Sequence, residues 1–171
     1  MKKLFLIVGI LLISLNAFAQ SPESPASETT LIFVRHAEKM DDGTPNPHLN
    51  EEGKIRAARL ADILLKEHNV KAVYSTPYYR TLETASPIAD SMGLEIREYG
   101  LDDPKALVQS IIDTNKGATV LIVGHSNTTP LLVNLSIGEQ RFKQLDEKAY
   151  GDIFIVTIVE EEEPIVEKIS Y

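Results

Sequence analysis

Strand-length runs at residues 30–34, 70–74 and 119–123 alternate with stretches whose apolar residues recur at helical spacing. That alternation constrains the fold more than any other feature. Thr30-Leu31-Ile32-Phe33-Val34 is continuously apolar, as expected of a strand covered on both faces. Residues 51–66 place Ala57, Leu60, Ala61 and Leu64 at i, i+3, i+4 and i+7. This spacing predicts an amphipathic helix, with Asn50 as its N-cap and acids in its first turn. Leu82, Ala85, Ala89 and Met92 form a second helical stripe that ends at Gly93, and Pro87 inside it predicts a kink or a restart capped by Ser86. Residues 94–97 read as another short strand, Asp103-Pro104 opens a helix through Ile112, and a last helix runs from about Thr129 to Leu135. Residues 152–159 and 165–171 flank Glu160-Glu161-Glu162-Glu163-Pro164 and read as a closing β-hairpin with the acids on a solvated turn. Strands alternating with helices imply a three-layer α/β/α sandwich with a mostly parallel central sheet, to which the C-terminal β-hairpin is added.

The N-terminal segment has a different character. Met1-Lys2-Lys3, an apolar run from Leu4 to Leu15 and then Ala17-Phe18-Ala19 have the order of a secretory signal peptide covering residues 1–19. From Leu4 to Ala19 is 16 residues, short of the roughly 20 that span a bilayer comfortably. Residues 20–28 are polar, contain two prolines and show no apolar period, so they read as a disordered leader to a single domain over residues 29–171. The expected location is therefore periplasmic or secreted, with no stable membrane anchor once the signal is cleaved. The chain contains no Cys, which excludes disulfides, a thiol nucleophile, a thiolate metal site and a lipid-modified cysteine. Seventeen Lys and Arg against 25 Asp and Glu leave a formal charge of −8, which argues against non-specific binding of nucleic acid or anionic lipid. Any anion bound here must be met by a local basic cluster.

In doubly covered parallel sheets, ligands bind beyond the carboxyl ends of the strands. The residues at those ends read Arg35-His36-Ala37-Glu38, Ser75-Thr76-Pro77-Tyr78-Tyr79-Arg80-Thr81 and Gly124-His125-Ser126-Asn127-Thr128. Two of the four histidines and two of the six arginines thus fall at strand ends. Arginine offers planar, multi-donor contact with phosphoryl oxygens, and imidazole offers attack or charge stabilisation. Such a set needs no metal ion and no cofactor. Asn127 is either an auxiliary phosphoryl contact or the cap of the following helix. His48 sits in a loop bordering the site, His68 ends a helix, and Glu38 and Lys39 either line the entrance or pair with each other.

The ordered set Arg35-His36-Ala37, Leu49-Asn50-Glu51-Glu52-Gly53, Tyr74-Ser75-Thr76-Pro77 through Arg80-Thr81 with Thr84-Ala85, and Val123-Gly124-His125 resembles the histidine phosphatase superfamily, its phosphoglycerate-mutase-like branch. The resemblance implies that His36 is the nucleophile that becomes phosphohistidine. It also implies that Arg35 and Arg80 clamp the phosphoryl oxygens and that His125 stabilises the transferring group. Many relatives carry a glutamate proton donor after the second helix, followed by a Gly-x-x-Glu-Gly stretch that is missing here. Glu98 is the nearest match, and Asp102 and Asp103 remain open alternatives. The implied activity is hydrolysis of phosphomonoesters, on a phosphorylated small molecule or phosphopeptide. The alternatives are a phosphoglycerate-type mutase, which a short exported chain disfavours, and a non-catalytic phosphate-binding module, which would not need a nucleophile together with a second imidazole.

Overall fold

In the computed structural model, which describes residues 27–171, the alternating pattern becomes one six-stranded sheet with helices on both faces. The expected signal peptide, and the expected leader before Ser27, lie outside the described residues. The elements in chain order are β1 (Thr29–Arg35), α1 (Glu51–Glu67), β2 (Val70–Ser75), α2 (Tyr79–Met92) and β3 (Ile96–Glu98). They continue with α3 (Pro104–Thr114), β4 (Thr119–Gly124), α4 (Thr128–Ile137), β5 (Asp152–Ile158) and β6 (Ile165–Ser170). The sheet order is β3-β2-β4-β1-β5-β6. The pairs β2·β3, β2·β4 and β1·β4 are parallel, whereas β1·β5 and the β5·β6 hairpin are antiparallel.

Strand alternation divides the core in two. Ile32, Val34, Leu121 and Val123 face α1 and α2, meeting Leu60, Leu64, Ala85 and Ile88. Leu31, Phe33, Val120 and Ile122 face the other way and pack on Val108, Ile111, Leu132 and Val133 of α3 and α4. Asn50 caps α1 by accepting from the Gly53 N–H, and Asp103 caps α3 by accepting from the Ala106 N–H with Pro104 in the first turn. Helix α2 departs from expectation, because it runs unbroken through Pro87 and Ser86 caps nothing. The Ser86 hydroxyl instead donates back to the Leu82 carbonyl at 2.9 Å. Ala85, Ile88 and Ala89 are buried on either side of the proline, and their packing holds both halves on one axis.

Gly53 marks a close approach that the core depends on. A Cβ there would lie 2.1 Å from the carbonyl oxygen of Glu38, the atom that accepts the Asn50 N–H at 3.0 Å. Helix propensity alone would make Gly53→Ala stabilising by about 1 kcal/mol. The backbone clash reverses the sign, and Gly53→Ala is expected to lose about 2 kcal/mol, within the usual range for overpacking. Chemical denaturation monitored by circular dichroism checks this.

Candidate active site

The register of the parallel strands brings three loops to one edge of the sheet. Arg35 pairs with Gly124 and Ser75 with Val123, so β1, β2 and β4 end level with one another. Ladder bonds extend one residue beyond: the His36 N–H donates to the Gly124 carbonyl at 2.9 Å and the Thr76 N–H to the Val123 carbonyl at 3.4 Å. Gly124 admits no side chain, since a Cβ would come within 2.7 Å of the Thr128 hydroxyl oxygen. That hydroxyl accepts the His125 N–H at 2.8 Å and so fixes the turn into α4.

His36 is 4% exposed. Its Nδ1 lies 2.7 Å from the Ala37 carbonyl. A carbonyl has no proton to give, so Nδ1 carries the ring hydrogen and Nε2 keeps a free lone pair. Burial pushes the His36 pKa down to about 3, against the raising effect of the Ala37 hydrogen bond, and the nearby His125, Arg35 and Arg80 lower it further. His125, its ring centroid 5.4 Å away at 67°, is pushed down to about 4 by burial and then by Arg80 and Arg35. Its Nε2 lies 2.9 Å from the Thr76 hydroxyl, which donates to the Thr81 hydroxyl at 3.0 Å. Thr81 in turn donates to the Thr76 and Tyr78 carbonyls. On the other side, the Thr84 hydroxyl accepts the Ala37 N–H at 2.9 Å and donates to the Arg80 carbonyl.

The two arginines are held differently, and Arg35 departs from the expected two-pronged clamp. Its terminal nitrogens donate to the carbonyls of Asp146, Glu147 and Ala149 and to the Glu147 carboxylate, at 2.9–3.1 Å. Its guanidinium carbon lies 4.2 Å from the centroid of the Tyr150 ring. Four of the five guanidinium donors are thereby used on the segment between α4 and β5. The remaining one, Nε, is buried with no acceptor among the described residues. Arg80 is likewise left with a buried, unpartnered terminal nitrogen, Nη1. Burial lowers its pKa, with Tyr78 opposing. Orphaned buried donors of this kind are rare and mark a missing partner.

A cleft of about 400 Å³ opens beside these groups, lined by Tyr78, Arg80, Leu101, His125, Ser126 and Asn127 with Thr76 and Thr128, while the buried Arg35 and His36 lie behind this lining. Asn127 thus reaches the site, and it makes no side-chain capping bond to α4. Glu98 does not reach it. Tyr99 is buried and donates its hydroxyl to the Val123 carbonyl at 3.1 Å, so strand alternation turns the neighbouring Glu98 outward, where it is exposed. Asp102 is exposed and Asp103 is engaged as the α3 cap, so neither lines the cleft. His48 pairs with Glu83 and stacks on Tyr79 at 4.2 Å, away from the lining. Glu38 is buried against Arg56, at 2.6–2.9 Å, and does not pair with Lys39. Sequence reasoning missed the Thr76–Thr81 and Thr84 hydroxyl contacts, which were visible only as members of a motif. It also missed the 146–150 segment, which holds Arg35 mainly through backbone carbonyls and therefore leaves no side-chain signature.

Residues 31–100 match the model of the histidine phosphatase superfamily (branch 1). That stretch of the chain is similar to the histidine phosphatase superfamily. The match runs through Arg35, His36 and Arg80, and the fold extends the likeness beyond it. Phosphoserine phosphatase 1 of Hydrogenobacter thermophilus is 42% identical over 72 residues, which is 39% of this chain and 34% of that protein. Phosphoglycerate mutase-like protein 4 of Arabidopsis thaliana is 34% identical over 91 residues, 46% of this chain and 40% of that protein. The matched stretches thus span well under half of either relative. Among solved structures, the protein histidine phosphatase SixA complexed with tungstate superposes with a TM-score of 0.67 at 17% identity, covering 82% of this chain and 96% of that one. Bacillus stearothermophilus YhfR gives 0.64 at 22% identity, covering 81% and 95%. These two share the α/β fold of this chain, including the part that follows residue 100.

The depressed imidazole pKa values have a direct consequence. A group whose folded pKa lies below its unfolded value binds fewer protons when folded, so stability is complete above about pH 6.5 and falls as the pH drops toward 4. Imidazole ¹⁵N spectra of the labelled protein are expected to show His36 and His125 still neutral at pH 5, with His36 protonated only at Nδ1.

Proposed function

We propose that the chain is a phosphatase that hydrolyses phosphomonoesters through a phosphohistidine at His36. The observation that carries this reading is the pair of orphaned, buried guanidinium donors, Arg35 Nε and Arg80 Nη1, beside a neutral imidazole with its Nε2 lone pair free. Arg35 is paired with Glu147 through its terminal nitrogens, but its Nε and Arg80 Nη1 still call for an acceptor, which a substrate anion can supply and an uncharged imidazole can attack. Nε2 attacks phosphorus as the ester oxygen departs. The arginines and His125 stabilise charge on the equatorial oxygens, and Asn127, which lines the same cleft beside His125, supports them. Water then cleaves the P–N bond, releasing phosphate and returning the lone pair to His36. Tyr78 and Asn127 are exposed at the cleft, leaving water a route to the intermediate, which favours hydrolysis over transfer back to a bound product. The names of the similar proteins also support a mutase-type transfer as the other reading. The expected signal peptide supports an exported setting, periplasmic or secreted, with a phosphorylated small molecule or phosphopeptide as substrate.

Steady-state turnover of p-nitrophenyl phosphate tests the assignment. His36→Ala is expected to lower kcat at least about 10³-fold, in line with removal of a nucleophile, while leaving the far-UV spectrum unchanged. Retained turnover in this variant would remove His36 from the mechanism.

A further inference from the structure

Tyr78 occupies a position that local rules disfavour. It is the N-cap of α2, with extended backbone (φ −115°, ψ 144°), and makes no side-chain capping bond. Ser, Thr, Asp or Asn would normally stand there. The missing acceptor comes from elsewhere in the chain, because the Asn46 side chain accepts the Tyr79 N–H at 2.9 Å. Relieved of capping, the Tyr78 ring stands 40% exposed at the cleft. The Arg80 guanidinium carbon lies 4.6 Å from its centroid, and the His125 imidazole meets it nearly perpendicularly at 5.2 Å. Leu101 adds a second apolar surface to the same lining. A local misfit compensated from a distant loop is the pattern expected where a side chain serves the site more than the fold.

The cleft also lacks a proton donor of the expected kind. Among the described residues lining it none is Asp or Glu. The nearby Glu147 uses one carboxylate oxygen to accept from the Ser126 hydroxyl at 2.6 Å and the other to accept from Arg35 at 3.0 Å. Departure of an alkoxide without a positioned acid forgoes about 10²–10⁴ in rate. A phenolate, whose conjugate acid has a pKa of about 10, is a far better leaving group than an alkoxide and loses much less by the absence of that acid.

Resting on the phosphatase reading above, we propose that the site selects aryl phosphomonoesters, esters of a phenol such as a phosphorylated tyrosine, and that Tyr78 and Leu101 receive the aromatic leaving group. In the first step the His36 Nε2–P bond forms while the P–O(aryl) bond breaks, and the phenolate leaves with the electron pair and takes a proton from solvent. In the second, water attacks phosphorus, the N–P bond breaks, and the proton lost by water returns to solvent, so the two steps balance.

The test compares kcat/KM for phenyl phosphate, glycerol phosphate and acetyl phosphate, the last a non-aromatic acyl phosphate (a mixed anhydride) whose acetate leaving group departs unaided. The wild-type chain is expected to prefer phenyl over glycerol phosphate by at least about 10²-fold. Tyr78→Ala is expected to lower the phenyl-to-acetyl ratio about three- to tenfold, as loss of one aromatic contact does, and Tyr78→Phe to restore it. Should Tyr78→Ala not fold, Tyr78→Leu reports the same ratio. Turnover of both substrates with an unchanged ratio, or glycerol phosphate hydrolysed as well as phenyl phosphate, overturns the proposal and leaves the phosphatase reading standing. Turnover of none of the three overturns both.

Discussion

Burying guanidinium nitrogens without an acceptor is unfavourable by about 1–3 kcal/mol or more for each charged donor, and the arrangement of this chain follows from tolerating that at one place. Arg35 Nε and Arg80 Nη1 are both buried and find no acceptor among the described residues. They can stay so because the rest of each arginine is well held. Arg35 is fixed by carbonyl oxygens of the segment before β5 and covered by Tyr150, and Arg80 is stacked on Tyr78. Burial first, and then the same cations, keep both imidazoles neutral. On the proposed reading, a site already charged and desolvated in this way is preorganised for an incoming phosphoryl dianion, which would supply the missing acceptors.

Threonine hydroxyls carry much of the positioning. Thr84 ties the chain after His36 to α2, Thr128 ties the His125 backbone to α4, and Thr76 with Thr81 sets the His125 ring. Each of these threonines is buried, so each hydroxyl must be satisfied within the protein and has little freedom to rearrange. The level strand ends bring the backbones together, and these short hydroxyl links convert that coarse alignment into fixed side-chain directions.

Much of this was legible in the residues themselves. The apolar runs of β1 and β4, the helical stripe of α1 with its Asn50 cap, and the Asp103-Pro104 start of α3 are local signals, and the structure carries each of them. Local signals misled where tertiary packing decides the outcome. Pro87 reads as a break, yet α2 is pressed against the sheet on both sides of it and stays whole. Glu98 reads as the acid by its distance along the chain from the second helix, but the inward turn of Tyr99 sends it to solvent. Arg35 and Arg80 were recognisable as a pair. The division of Arg35 between an internal segment and the cleft depends on backbone carbonyls more than a hundred residues away, which no side-chain pattern encodes.

The hydrogen bond from His36 Nδ1 to the Ala37 carbonyl leaves a single ring nitrogen able to attack, and so the proposed covalent intermediate would have a defined regiochemistry. ³¹P NMR of the protein trapped with a phosphoryl donor and unfolded in base distinguishes phosphate on Nε2 from phosphate on Nδ1 of a histidine. One phosphohistidine is expected, on Nε2 of His36, absent from His36→Ala. Phosphate on Nδ1, on His125, or on no histidine at all would contradict it.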